Sequence, residues 1–149
     1  MNSEFVEESP GFLLWQVAHY WQRQIVGKLK TLELTHVQFA LLAGLQDLNQ
    51  NSDGLVTQVQ LSRYVHTDVM MTSKVVRKLE DKNLIRRQEH PTDTRAKALE
   101  ITEEGKQLLQ EAKGIVAQFD REFFSPIQGK AQPFTDSLAQ LRDQEEVER

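Results

Sequence analysis

Two capping boxes fix the frame of this chain. In Thr35-His-Val-Gln38 and Thr57-Gln-Val-Gln60 a threonine can accept from an unpaired amide while a glutamine reaches back, so a helix starts at each. Between them stands Asn49-Gln-Asn-Ser-Asp-Gly54, a run of turn formers that keeps the two helices apart. A chain punctuated in this way folds as a series of modest helices, not as a rod or a large sheet.

The other segments take their places around that frame. Residues 1–9 read as frayed. From 12 to about 30 apolar residues come thickly (Phe12, Leu13, Leu14, Trp15, Val17, Ala18, Tyr20, Trp21, Ile25, Val26, Leu29) and cover more than one helical face. Such a helix is expected to be buried in a dimer. After the second box a short helix over 58–65, a polar break at His66-Thr67-Asp68 and a helix over about 69–82 follow. Asn83 stands where a left-handed residue would stop that helix. Residues 84–89 and 96–101 are two extended runs flanking the turn material His90-Pro-Thr-Asp-Thr94, which predicts a β-hairpin with a loose tip. Thr102 caps a long helix over about 103–124, with Glu103 and Glu104 placed where the helix dipole favours acids. Pro126, Gly129 and Pro133 are expected to break it before a last helix over about 134–147.

Composition bears on function through its distribution. The 149 residues suit one domain. The net charge of −4 argues, taken whole, against a partner as anionic as DNA. Yet residues 63–97 hold nine Lys/Arg against five Asp/Glu, a local +4, while the remainder holds nine against seventeen, or −8. A basic module sits in an acidic frame, and distribution is what matters for nucleic-acid binding. With no cysteine there is no disulfide, thiolate metal site or thiol sensor. The acidic start lacks the basic region of a secretory signal, and charge interrupts every apolar stretch. A cytoplasmic protein without a membrane partner is the expectation.

At about 100° per residue, the helix at 69–82 places Val69, Thr72, Val75, Val76 and Leu79 on one side, to pack on Val59, Leu61 and Val65 of the preceding helix. Met70, Lys74, Arg77 and Lys78 fall on the other, flanked by Met71 and Ser73. That side is either an ordinary solvated face or a surface for the DNA major groove. In the groove Lys74 and Arg77 would reach guanine edges or phosphates, Met70 and Met71 thymine methyls, and Ser73 either. Asp68 and Asp81, at the ends, would repel phosphate.

The hairpin favours the DNA reading. It follows the helix directly and carries Arg86, Arg87, Arg95 and Lys97. An arginine near a hairpin tip can enter a narrow minor groove. Asp93, two residues before Arg95, suits a brace that holds the guanidinium or caps the turn. A surface hairpin with a weak ion pair is the plainer alternative.

These residues resemble the MarR family of transcriptional regulators. The match runs through Leu79-Glu-Asp-Lys-Asn83-Leu84-Ile85-Arg86-Arg87, then Asp93-Thr-Arg95-Ala96, then Leu99-Glu-Ile101-Thr102-Glu103-Glu104-Gly105. Asn83 departs from it, since the family usually has glycine there. The resemblance implies a mainly α fold with a small β-hairpin wing, a winged helix-turn-helix over 34–102 intertwined with dimerisation helices over 1–33 and 103–149. It also implies a homodimer on double-stranded DNA at a roughly palindromic operator, with Arg95 in the minor groove. The chain would act as a repressor answering to a small aromatic or phenolic effector. The competing function is a winged-helix protein-interaction module without DNA binding.

Other signals carry less. Asn49, Asn51, Asp53, Gly54 and Gln60 mimic the spacing of a calcium loop, but one carboxylate and no closing glutamate make a poor cage. His19, His36, His66 and His90 show no metal-ligand spacing. Trp15, His19, Tyr20 and Trp21 with Phe39 would either line an aromatic ligand cleft or pack in the core and dimer. No catalytic motif, cofactor fingerprint or metal site is present, so an enzyme is not expected.

Overall fold

Each early helix begins where a side chain takes over its unpaired amides. Ser9 caps α1 (Pro10–Lys30), accepting from the Phe12 amide at 3.2 Å. Thr35 and Gln38 close the expected box at the head of α2 (His36–Asn51), both bonds at 3.1 Å. Thr57 and Gln60 close the second, at 2.8 and 3.2 Å, opening α3 (Gln58–Val65). These bonds satisfy amides that a helix leaves orphaned at its start.

The computed structural model describes residues 9–51, 55–89 and 97–148. The chain divides into two compact units, Met1–Val116 and Ala117–Arg149. After α3 come α4 (Val69–Asp81), β2 (Ile85–Glu89), β3 (Lys97–Ile101), α5 (Glu103–Phe123), a 3-10 turn at Ser125–Lys130, and α6 (Ala131–Glu148). A strand absent from the sequence reading, β1 (Val56–Thr57), precedes α3. It pairs antiparallel with β3, Val56 opposite Leu99, so the expected hairpin is one part of a three-stranded sheet ordered β1-β3-β2.

The core of the first unit is aliphatic. Ile25 and Leu29 from α1, Leu41, Leu42 and Leu45 from α2, Leu61 from α3, and Val76 and Leu79 from α4 are all fully buried. Gly44 lets α3 lie close on α2, because a β-carbon there would stand 2.5 Å from Val65 Cγ2. At the other end of α2, Asn49 ties the helix to the sheet. Its amide nitrogen donates to the Leu99 carbonyl at 3.2 Å and its oxygen accepts from the Ile101 amide at 3.1 Å. A side-chain amide thus pairs the edge of β3 that the two-residue β1 leaves uncovered.

Several expectations are corrected. Val59 is 42% exposed. It lies about 200° around α3 from buried Leu61 and so faces away from the packing. Val69, in the first turn of α4, is 47% exposed. Pro133 is not part of the break after α5, because α6 already starts at Ala131. It sits in the first turn, where the amide it lacks would have had no helical partner. In the second unit Phe119, Phe123, Phe124 and Phe134 form a chain of rings with centroids 5.6, 5.0 and 5.8 Å apart.

Candidate nucleic-acid interface

The turn between α3 and α4 sets the angle of the candidate recognition helix. His66 ends α3 with φ 62°, a left-handed residue that turns the chain sharply. Thr67 and Thr72 bond through their hydroxyls at 2.8 Å, and Thr72, fully buried, holds the corner. Asp68 then caps α4. Its carboxylate accepts from the amides of Met70 at 2.8 Å and Met71 at 3.3 Å. Expected only as a repulsive acid, it builds the helix end; aspartate just before a helical pattern is the signal that reveals it.

At its far end α4 is pinned by contacts that sequence reasoning did not assign. Lys82 donates its ammonium to the Glu33 carbonyl in the turn after α1. Asn83 takes the expected left-handed conformation, φ 63°, and donates to Glu104 at 2.9 Å. Arg87, half-buried, reaches back from β2 to Glu80 on α4 at 2.8 Å. It shares the inward face of β2 with buried Ile85, two residues away, and that alternation is the signal that separates it from Arg86. Arg86 points outward and pairs with Glu100, its cross-strand partner, at 2.7 Å. With Arg86 60% and Glu100 48% exposed, that pair is solvated and weak, and can give way to a phosphate.

The outer face of α4 is different. Met70, Met71, Lys74, Arg77 and Lys78 are exposed, and Ser73 is half-buried at the flank. Lys74, Arg77 and Lys78 have no acidic partner among the described residues. Thus the structure brings the expected α4 residues onto one face, ties Lys82 and Arg87 inward, and leaves three cations in water. Arg95 and Asp93 lie outside the described residues, as does the side chain of Lys97.

The candidate ligand residues are less united. On α1 the Trp15 and His19 rings stand 4.1 Å apart, and His19 Nδ1 lies 2.7 Å from the Trp15 carbonyl. Trp15 is 56% exposed. Phe39, half-buried on α2, is not part of that ring pair. A separate recess of about 310 Å³ lies between α2, the sheet and the start of α5, beside Asn49, Gln88 and Lys106. Its walls mix amide and charged groups with the aliphatic Leu55, Val56, Leu99 and Ile101, and no aromatic ring is among its lining residues. The calcium alternative loses Asn49, whose side-chain oxygen already accepts from the Ile101 amide, while 52–54 lie outside the described residues.

A MarR family profile matches residues 34–97, from the turn before α2 to the first residue of β3. YdcH, an uncharacterised HTH-type transcriptional regulator of Bacillus subtilis, is 40% identical over 133 residues, 89% of each chain. The chain belongs to the MarR family. It is a DNA-binding transcriptional regulator and not an enzyme. Solved MarR-like structures share its fold at lower identity. The Bordetella bronchiseptica regulator BpsR, whose DNA binding is regulated by 6-hydroxynicotinic acid, superposes with TM-score 0.85 at 20% identity, covering 95% of this chain and 99% of its own. The S. aureus MepR–DNA complex superposes with TM-score 0.80 at 21% identity, covering 91% and 98%. Among the described residues of this MarR protein no helix is long and apolar enough to cross a membrane.

Proposed function

We propose that this MarR protein binds a pseudo-palindromic operator as a homodimer, with α4 of each copy in a major groove and the wing arginine Arg95 in the adjacent minor groove. The observation that carries this reading is the outer row of α4: Lys74, Arg77 and Lys78 exposed and unpaired among the described residues, while Lys82 and Arg87 are spent on the fold. A row of cations on a rigid helix is what a groove lined by phosphates and base edges attracts. Dimerisation is supported by exposed apolar residues on α1, among them Leu13, Leu14, Val17 and Val26, and by Leu138 and Leu141 on α6. Exposed apolar area of that kind is expensive in water and marks a surface meant to be covered. A two-fold dimer reads two-fold DNA.

The regulator acts in the cytoplasm as a repressor, and a small aromatic or phenolic effector releases it. BpsR supports the effector reading, and the exposed Trp15–His19 pair supplies an aromatic surface for it. Selection of bound duplexes from a random pool tests the whole proposal. The expected product is an inverted repeat with half-sites about one helical turn apart, bound by two chains in sedimentation. An enriched site without symmetry, or a monomer on the DNA, overturns the dimeric reading, and failure to enrich any duplex at low salt overturns the DNA interface itself.

A further inference from the structure

The leading turn of α4 is built unlike the rest of its outer face. Val69, Met70 and Met71 expose 47%, 75% and 41% of their surfaces, and Met70 stands further into solvent than any other large apolar side chain in the described core and surface. Met70, three-quarters exposed, contributes little to the core of this chain. Nor is this turn a phosphate anchor. The amides of Met70 and Met71, which at an uncapped helix start would bind an anion, both donate to Asp68, whose own charge repels phosphate. The cations begin one turn later, with Lys74 four residues after Met70 on the same face, then Arg77 and Lys78.

Such a face has an apolar reading end and a cationic remainder. The N-terminal residues of a recognition helix are those that meet base edges. The one apolar group a base pair offers in the major groove is the C5-methyl of thymine. Methionine, unbranched and polarisable, fits itself around such a group. We propose that Met70, with Met71 beside it, determines sequence specificity by recognising a thymine methyl in each operator half-site. The proposal rests on the reading that α4 enters the major groove. Met70 and Arg77 are separated by about 10 Å along the helix axis, so the two meet different parts of the half-site.

The test uses the full-length protein and the duplex recovered by selection, with each thymine replaced in turn by deoxyuridine, which keeps base pairing and removes only the methyl. One or two positions per half-site should lose about 3–5-fold in affinity, the scale of one buried methyl. Met70→Ala should bind the thymine and deoxyuridine duplexes alike, and because Met70 is so exposed the variant should melt as the parent does. If the parent protein binds every deoxyuridine duplex as tightly as the unmodified one, the proposal is overturned while groove binding stands. The same holds if Met70→Ala keeps the deoxyuridine penalty. If no duplex is bound at all, the underlying reading fails and the proposal with it.

Discussion

Gly105 is the residue whose replacement most sharply tests how the wing is fixed to α5. A β-carbon at Gly105 would stand 2.3 Å from the Leu84 carbonyl oxygen and 2.8 Å from Ile101 Cγ1. The obstacle is backbone, so it cannot swing aside. Relief requires the start of α5 to move by about 1 Å, an overpacking strain of about 1–3 kcal/mol. The movement also stretches two bonds that converge there. The Gly105 amide donates to Thr102 Oγ1 at 3.0 Å, and the Thr102 amide donates to that same Leu84 carbonyl at 3.1 Å. Each is worth about 1 kcal/mol. Against these losses stands the helical gain of alanine over glycine, at most about 1 kcal/mol. Gly105→Ala should therefore destabilise by about 2–3 kcal/mol, lowering Tm by roughly 4–10 °C. Gly114 lies in the same helix, and a β-carbon there meets nothing within 4 Å. Gly114→Ala should raise Tm by about 2–4 °C. Thermal unfolding of both variants at one protein concentration is the assay, since a dimer melts in a concentration-dependent way. Shifts of the same sign would refute the reasoning, because they would mean that the contact with Leu84 places no demand on residue 105.

Three further predictions follow from single residues. Asn83 holds φ 63°, so Asn83→Ala should cost about 1–2 kcal/mol in denaturant unfolding while Asn83→Gly stays within about 0.5 kcal/mol of the parent; equal losses would remove backbone conformation as the cause. Asn49→Ala leaves the Leu99 carbonyl and Ile101 amide without their side-chain partner and should cost about 1–3 kcal/mol, with hydrogen exchange rising at Ile101. The Tyr64 phenol donates to Asp47 at 3.1 Å, and that bond, then burial, then the charge of Asp47 raise its pKa above the usual 10.0. The neutral phenol is favoured in the fold, so this contribution is full below pH 10 and disappears as pH climbs through the raised value. Ultraviolet titration should show Tyr64 ionising late in the parent and earlier in Asp47→Asn.

The parts legible in the sequence are those written in local chemistry. The two capping boxes, the span of α3 and the left-handed turn at Asn83 each depend on residues within a few positions, and each stands where read. The outer row of α4 was legible because 100° spacing alone sorts Lys74, Arg77 and Lys78 from Val76 and Leu79. What escaped depends on distant partners. Two residues cannot show the alternation of a strand, so β1 emerges only from its pairing with β3. Lys82 finds a carbonyl forty-nine positions away, and Asn49 an amide fifty-two away. Period alone also overstates packing at the start of a helix, as at Val69. The split of Arg86 from Arg87 was within reach, because strand alternation sets them on opposite faces.

The central claim is that the exposed cations of α4 meet DNA, and the salt dependence of operator affinity tests it most directly. For the parent protein, log affinity against log salt should fall steeply, and the slope should lessen by roughly one unit for each phosphate contact removed, compared between the parent and Lys74→Ala, Lys78→Ala and their double variant. Melting should stay unchanged, since both side chains are exposed. A double variant with the parent's slope and affinity would contradict the account.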